Sequence, residues 1–136
     1  MIGVNMEAIS RFVELAKDIK DEIIKWRRDF HMYPELGYQE RRTARIVAEH
    51  LKSWGYKVIE GVAETGVVGV LKGGKPGEER VVALRADMDA LALQEENEVP
   101  YKSRVEGVMH ACGHDAHVAM LLGAAKILSN IKDEIS

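Results

Sequence analysis

Nine consecutive residues, Met109-His110-Ala111-Cys112-Gly113-His114-Asp115-Ala116-His117, gather the chain's only cysteine, three of its five histidines and an aspartate. Thiolate, imidazole and carboxylate are ligands for divalent metals such as zinc, manganese or cobalt. The Cys112-Gly113-His114 spacing lets two ligands converge on one ion from a tight loop. Glycine between them tolerates the backbone angles such a turn needs. An apolar run over residues 118–131 reads as a helix, so the cluster sits at a loop-to-helix junction. A helix N-terminus there favours an anion such as thiolate or hydroxide. No second pair of ligands stands at zinc-finger distance, so a self-contained structural zinc site is not expected. The plain alternative is a cysteine that serves as a small buried hydrophobe.

Two aspartates follow an apolar stretch upstream. Arg80-Val81-Val82-Ala83-Leu84-Arg85 reads as an inner strand, and Ala86-Asp87-Met88-Asp89 ends it. Sites in open α/β sheets gather beyond the carboxyl ends of strands. Asp87 can therefore meet Cys112 in space although 25 positions separate them (112 − 87). Its expected role is to accept a hydrogen bond from a ligating histidine, which fixes the tautomer and raises basicity. Asp89 reads as a turn former or cap.

The elements that must position these groups follow from periodicity. Apolar residues recur at three- and four-residue steps over 7–30, which predicts one long amphipathic helix. Tyr33-Pro34-Glu35-Leu36-Gly37 breaks it. A second helix is expected over 39–54, with Gly55 placed to cap it. Strands are expected at 56–60 and 66–71, and Gly73-Gly74-Lys75-Pro76-Gly77 is a turn. The order helix, helix, strand, strand, strand, helix predicts an α/β layered sheet flanked by helices.

Bulk properties narrow the function. At 136 residues the chain is one domain by size and can bury a core. Hydrophobic content of 46% with 30% charged residues describes a globular chain. A net charge of −3 gives no electrostatic case for nucleic acid or an anionic membrane. One cysteine cannot form an internal disulfide. With no apolar leader and no run of about 18 apolar residues, a cytoplasmic location is expected.

Three segments, in order, resemble the N-terminal part of the M20 metallopeptidase family. They are Arg27-Arg28-Asp29-Phe30-His31-Met32-Tyr33-Pro34-Glu35-Leu36-Gly37-Tyr38-Gln39-Glu40, Arg85-Ala86-Asp87-Met88-Asp89-Ala90-Leu91, and His110-Ala111-Cys112-Gly113-His114-Asp115-Ala116-His117. The likeness is to the amidohydrolase branch, with its aminoacylases, hippurate hydrolases, indole-acetyl-amino-acid hydrolases and archaeal carboxypeptidases. The resemblance implies a zinc-exopeptidase-like catalytic domain that hydrolyses amide bonds of N-acyl amino acids or short peptides with two divalent ions (zinc, manganese, cobalt or nickel). It implies that Cys112 bridges the metals, that His114 is a further ligand and that Asp87 supports the site. It gives His31, Pro34 and Glu35 no clear chemical role, and these are read as shaping the turn between helices. Homo-oligomers are also implied.

Members of that family are more than twice this length. The resemblance therefore implies further parts that these 136 residues do not contain. These are a Glu-Glu pair holding the general base and a ligand, later histidine ligands, and a lid domain used for dimerisation. Asp133-Glu134 reads as a solvated helix tail rather than that pair. The expectation is a partial catalytic domain, inactive alone. A truncated, non-catalytic module that keeps the fold is the alternative. Cysteine-nucleophile catalysis and a redox-sensitive thiol at Cys112 are two weaker readings.

Overall fold

The computed structural model describes residues 6–77 and 80–136. Four helices and one hairpin form it: α1 (Met6–Asp18), α2 (Lys20–Met32), α3 (Arg41–Ser53), β1 (Lys57–Val62), β2 (Gly66–Val70) and α4 (His114–Asn130). A short 3-10 turn, Lys132–Glu134, follows α4. The helices and a small antiparallel sheet make the α/β arrangement expected, with two local differences.

The first is at Ile19. The single helix expected over 7–30 is two helices, because Ile19 has φ −108° and ψ 9°. The helical bond from the Ile23 N–H to the Ile19 carbonyl survives at 3.1 Å, so the break is a bend. Both α1 and α2 pack on α4. A Cβ at Gly123 of α4 would lie 2.7 Å from Ile23 Cδ1 and 3.7 Å from Ile19 Cδ1. Periodicity reports which face is apolar. It does not report that two halves of one apolar stripe must turn to follow a neighbour.

The second difference is the third strand. Residues 80–85 pair with no strand, and among the described residues the sheet has two members, β1 and β2. Val81 is 97% exposed and Val82 82%. Valine-rich sequence supplies strand propensity, but a strand forms only where a neighbour accepts its hydrogen bonds.

The remaining elements follow local rules. Gly55 takes φ +81° after α3. The Gly55 N–H bonds to the Lys52 carbonyl at 3.1 Å and the Tyr56 N–H to the Leu51 carbonyl at 3.0 Å. That is the Schellman pattern of a glycine-ended helix. At the other end of α3, the Glu35 carboxylate accepts from the Arg42 N–H, the Thr43 N–H and the Thr43 hydroxyl, each at 2.8 Å. It satisfies donors that a helix start leaves unpaired. The turn-shaping role read for Glu35 thus has an atomic basis.

Phe30, Val118 and Leu122 form the buried centre, with Trp26, Ile46, Val47, Trp54, Ala86 and Met88 packed around it. Helices α2, α3 and α4 all reach this core, so α4 is held along its length. Tyr56 ties its far part by donating to the Ala125 carbonyl at 2.8 Å. Glu134 pairs with Arg11 of α1.

Candidate metal centre

Helix α4 begins inside the nine-residue cluster. Gly113 is its N-cap, with φ +91° in the left-handed region. Only glycine adopts that conformation freely. Cys112 therefore lies just before the turn and His114 opens the helix. Cys112 is a free, exposed thiol. His114 is half-buried, and the exposed His117 ring lies 6.0 Å from it, centroid to centroid.

A short pairing brings Asp89 to this turn. The Leu91 N–H donates to the Met109 carbonyl at 2.9 Å, and the Met109 N–H returns the bond at 3.0 Å. The Ala90 N–H donates to the Glu35 carbonyl at 2.8 Å. Residues 89–91 are thus clamped between the α2–α3 turn and the irregular segment leading to the cluster. His114 Nδ1 then lies 2.9 Å from Asp89 Oδ1 and 3.0 Å from the Asp89 carbonyl. Both partners are acceptors, so Nδ1 carries the proton. In the neutral ring the lone pair is then on Nε2, the nitrogen left to bind an electrophile.

Asp87, the carboxylate expected to support the site, pairs instead with Arg85, at 3.0 Å to Nε and 2.8 Å to Nη2. Asp89, read from the sequence as a turn former, contacts the histidine. The two differ by two positions on one irregular segment, and only the Leu91–Met109 pairing decides which one reaches His114.

Beneath the cluster lies a buried ionic network. Asp115, the second residue of α4, is fully buried. Its Oδ2 is 2.7 Å from His31 Nδ1 and 3.0 Å from Arg27 Nε. His31 Nε2 is 3.0 Å from Glu95 Oε1. Arg27 and His31 are four residues apart on α2 and share one face. Glu95 also accepts from the Ser103 N–H at 2.6 Å and from Asn97 Nδ2 at 3.3 Å. Two carboxylates thus face the Arg27 guanidinium and the two ring nitrogens of His31, and Arg27 Nη2 also lies 3.2 Å from His31 Nδ1. Burial alone would raise the Glu95 carboxyl. The bonds from Ser103, His31 and Asn97 outweigh it and hold the group below its ordinary value.

The sequence marks His31 only as a turn-shaping residue and does not single out Glu95, which lies in a loop of mixed polarity. Arg27 and His31 at helical spacing were the one available signal. Glu95 had none, because 64 positions separate it from His31.

His110 is also buried, and neither ring nitrogen has a hydrogen-bond partner among the described residues. Burial lowers its pKa against the pull of Asp115, favouring the neutral ring. Among the described residues, no group of three or more His, Cys, Asp or Glu side chains is arranged to hold an ion. What the chain offers is two neighbouring donor residues of the right chemistry, a thiol and an oriented imidazole. No helix among the described residues is long and apolar enough to cross a membrane.

The chain is similar in sequence and fold to known proteins. Residues 83–136 match the model of peptidase family M20/M25/M40. Thermostable carboxypeptidase 1 of Saccharolobus solfataricus is 52% identical over 132 residues, 96% of this chain and 33% of that protein. An N-acyl-L-amino acid amidohydrolase of Geobacillus stearothermophilus is 50% identical over 129 residues, 95% of this chain and 34% of that protein. Among solved structures, the YXEP protein of Bacillus subtilis, described as a dinuclear metal binding peptidase of the M20 family, superposes with a TM-score of 0.79. It is 38% identical, over 88% of this chain and 33% of that one. Over nearly its whole length the chain is thus similar to proteins of the M20 peptidase family. It spans about a third of the length of the curated relatives it matches.

Proposed function

We propose that this chain is the N-terminal part of an M20 catalytic domain and supplies two ligands, Cys112 and His114, to a centre of two divalent ions. The whole protein would hydrolyse amide bonds in N-acyl amino acids or short peptides. The observation that carries this reading is the orientation of His114. Its Nδ1 proton is committed to Asp89, which leaves Nε2 as the donor beside an exposed thiol. When bound, such ions polarise a carbonyl and lower the pKa of water.

The chain's own residues do the preparatory work. Asp89 sets the His114 tautomer, and Gly113 permits the turn between the two ligands. Asp87, two residues from Asp89, pairs with the exposed Arg85, and in this reading the support of His114 falls to Asp89. The chemistry of thiolate and imidazole leans towards zinc, with manganese, cobalt and nickel the other candidates. The remaining ligands, the general base and a lid domain used for dimerisation would lie in the parts of the relatives that this chain does not span. A homo-oligomeric, cytoplasmic enzyme that binds neither nucleic acid nor membrane completes the reading.

The test is metal content and N-acyl-amino-acid hydrolysis measured on one purified sample beside Cys112→Ser. The expected result for the 136-residue chain is weak, Cys112-dependent metal binding without turnover. Metal binding indifferent to Cys112→Ser would overturn the assignment. Turnover by this chain alone would overturn its reading as a partial domain.

A further inference from the structure

We infer that His31, Asp115 and Glu95 are positioning residues for His114, acting through the first turn of α4; the inference rests on the metal-ligand reading above. Asp115 follows His114 directly, so any rotation of its backbone carries the His114 ring with it. Within α4 that turn is held by backbone bonds from the Ala116 and His117 N–H groups to the Gly113 carbonyl, at 3.1 and 3.2 Å, and by the Ala116 N–H donating to Asp115 Oδ1 at 2.9 Å. Gly113 offers no side-chain cap, so no side chain at the N-cap adds to those bonds. The other carboxylate oxygen of Asp115, Oδ2, is gripped from outside the helix.

The grip has three points. His31 and Arg27 hold Asp115 from α2 at 2.7 and 3.0 Å. His31 cannot rotate away, because its other nitrogen is bonded to Glu95 at 3.0 Å and its ring meets Tyr101 edge-on at 5.7 Å. Glu95 in turn is fixed by the Ser103 N–H. Asp115 and Glu95 are both at least 98% buried, and His31 is 97% buried. A buried network of this kind has one low-energy arrangement, because any slip strands a desolvated charge. Two restraints therefore converge on neighbouring residues: Asp89 on the His114 ring, and His31 on the Asp115 carboxylate.

The experiment is ring 15N NMR of the histidines in the 136-residue chain, with Co2+ titrated in and followed by its Cys112-dependent absorption. It compares wild type, His31→Gln, Glu95→Gln and Tyr56→Phe, with thermal unfolding of each. Tyr56→Phe removes the bond to Ala125 from α4 far from the cluster and controls for general loosening. The expected result is a single Nδ1–H tautomer of His114 in wild type. In His31→Gln a tautomer mixture should appear and Co2+ affinity should fall about tenfold, as for other groups that orient metal ligands. Tyr56→Phe should lower the melting temperature and change neither reading.

A His31→Gln variant that keeps both the tautomer and the affinity, however unstable, overturns the inference. So does a Tyr56→Phe variant that changes both as much. Should His31→Gln fail to fold, the same two readings on Glu95→Gln decide. Absence of Cys112-dependent Co2+ binding in wild type would overturn the metal reading alone, and the tautomer comparison would still decide the positioning role.

Discussion

Asp89 grips His114 twice, through Oδ1 at 2.9 Å and through its own carbonyl at 3.0 Å. A side chain that accepts with both its backbone and its carboxylate fixes the position of the ring as well as the tautomer. Asp89→Ala should keep the backbone contact and lose the charged one. Metal affinity should then fall by roughly ten- to a hundredfold, the usual cost of losing such a partner. Asp87→Asn should change it by no more than about twofold, because Asp87 pairs with an exposed arginine and exposed pairs contribute little. Isothermal titration with Co2+ on both variants checks this. Equal losses would return Asp87 to the supporting role expected from the sequence.

Gly113 is a conformational requirement and not a packing one. Its φ is +91°, and a Cβ there would meet nothing within 4 Å. Gly113→Ala should therefore cost about 1–2 kcal/mol from backbone strain alone. Denaturant unfolding would measure it, and a variant as stable as wild type would show that the turn can relax.

Stability should fall on acidification in two stages. His50 lies between Trp26 and Trp54, and burial lowers its pKa more than Glu22 and Glu49 raise it. An unfolded chain therefore takes up this proton first. Stability present above the ordinary histidine value of 6.5 is lost as pH falls below it. Glu95 titrates below its ordinary 4.5 in the fold. Its contribution is present above 4.5 and disappears as pH falls through the lower, folded value. Unfolding free energy against pH in His50→Phe should show a smaller first stage, with the part due to buried His110 remaining, and Glu95→Gln should show a smaller second stage.

Phe30 is 1% exposed at the centre where α2 meets α4. Phe30→Ala should cost about 3–5 kcal/mol. That is a large part of the ~5–15 kcal/mol that a whole domain has. Loss of cooperative melting is the expected reading, with Co2+ affinity lost alongside.

Val81, Val82 and Leu84 are 97%, 82% and 59% exposed on one segment that lies outside both strands of the sheet. Apolar sequence of strand type without a partner promotes association between copies. Sedimentation at rising concentration should show association for the 136-residue chain. Val82→Lys with Leu84→Lys should reduce it, with little change in melting temperature.

The amino-acid order already determined the local features. Helices α3 and α4, the hairpin strands and the glycine-ended cap at Gly55 were legible, because each depends on residues within a few positions of one another. So was the need for glycine between Cys112 and His114. Less legible was anything that depends on a partner distant in sequence. The bend at Ile19 arises where α1 and α2 meet α4. Residues 80–85 have strand chemistry but no neighbouring strand here. The choice of Asp89 over Asp87 was made by a pairing between Leu91 and Met109, 18 positions apart (109 − 91). The joining of His31 to Asp115 and Glu95 spans 84 and 64 positions. Hydrophobic period and turn chemistry act over one or two turns of chain. The orientation of a buried charge is settled only when desolvation forces it to find a partner, and tertiary packing alone decides which partner is within reach.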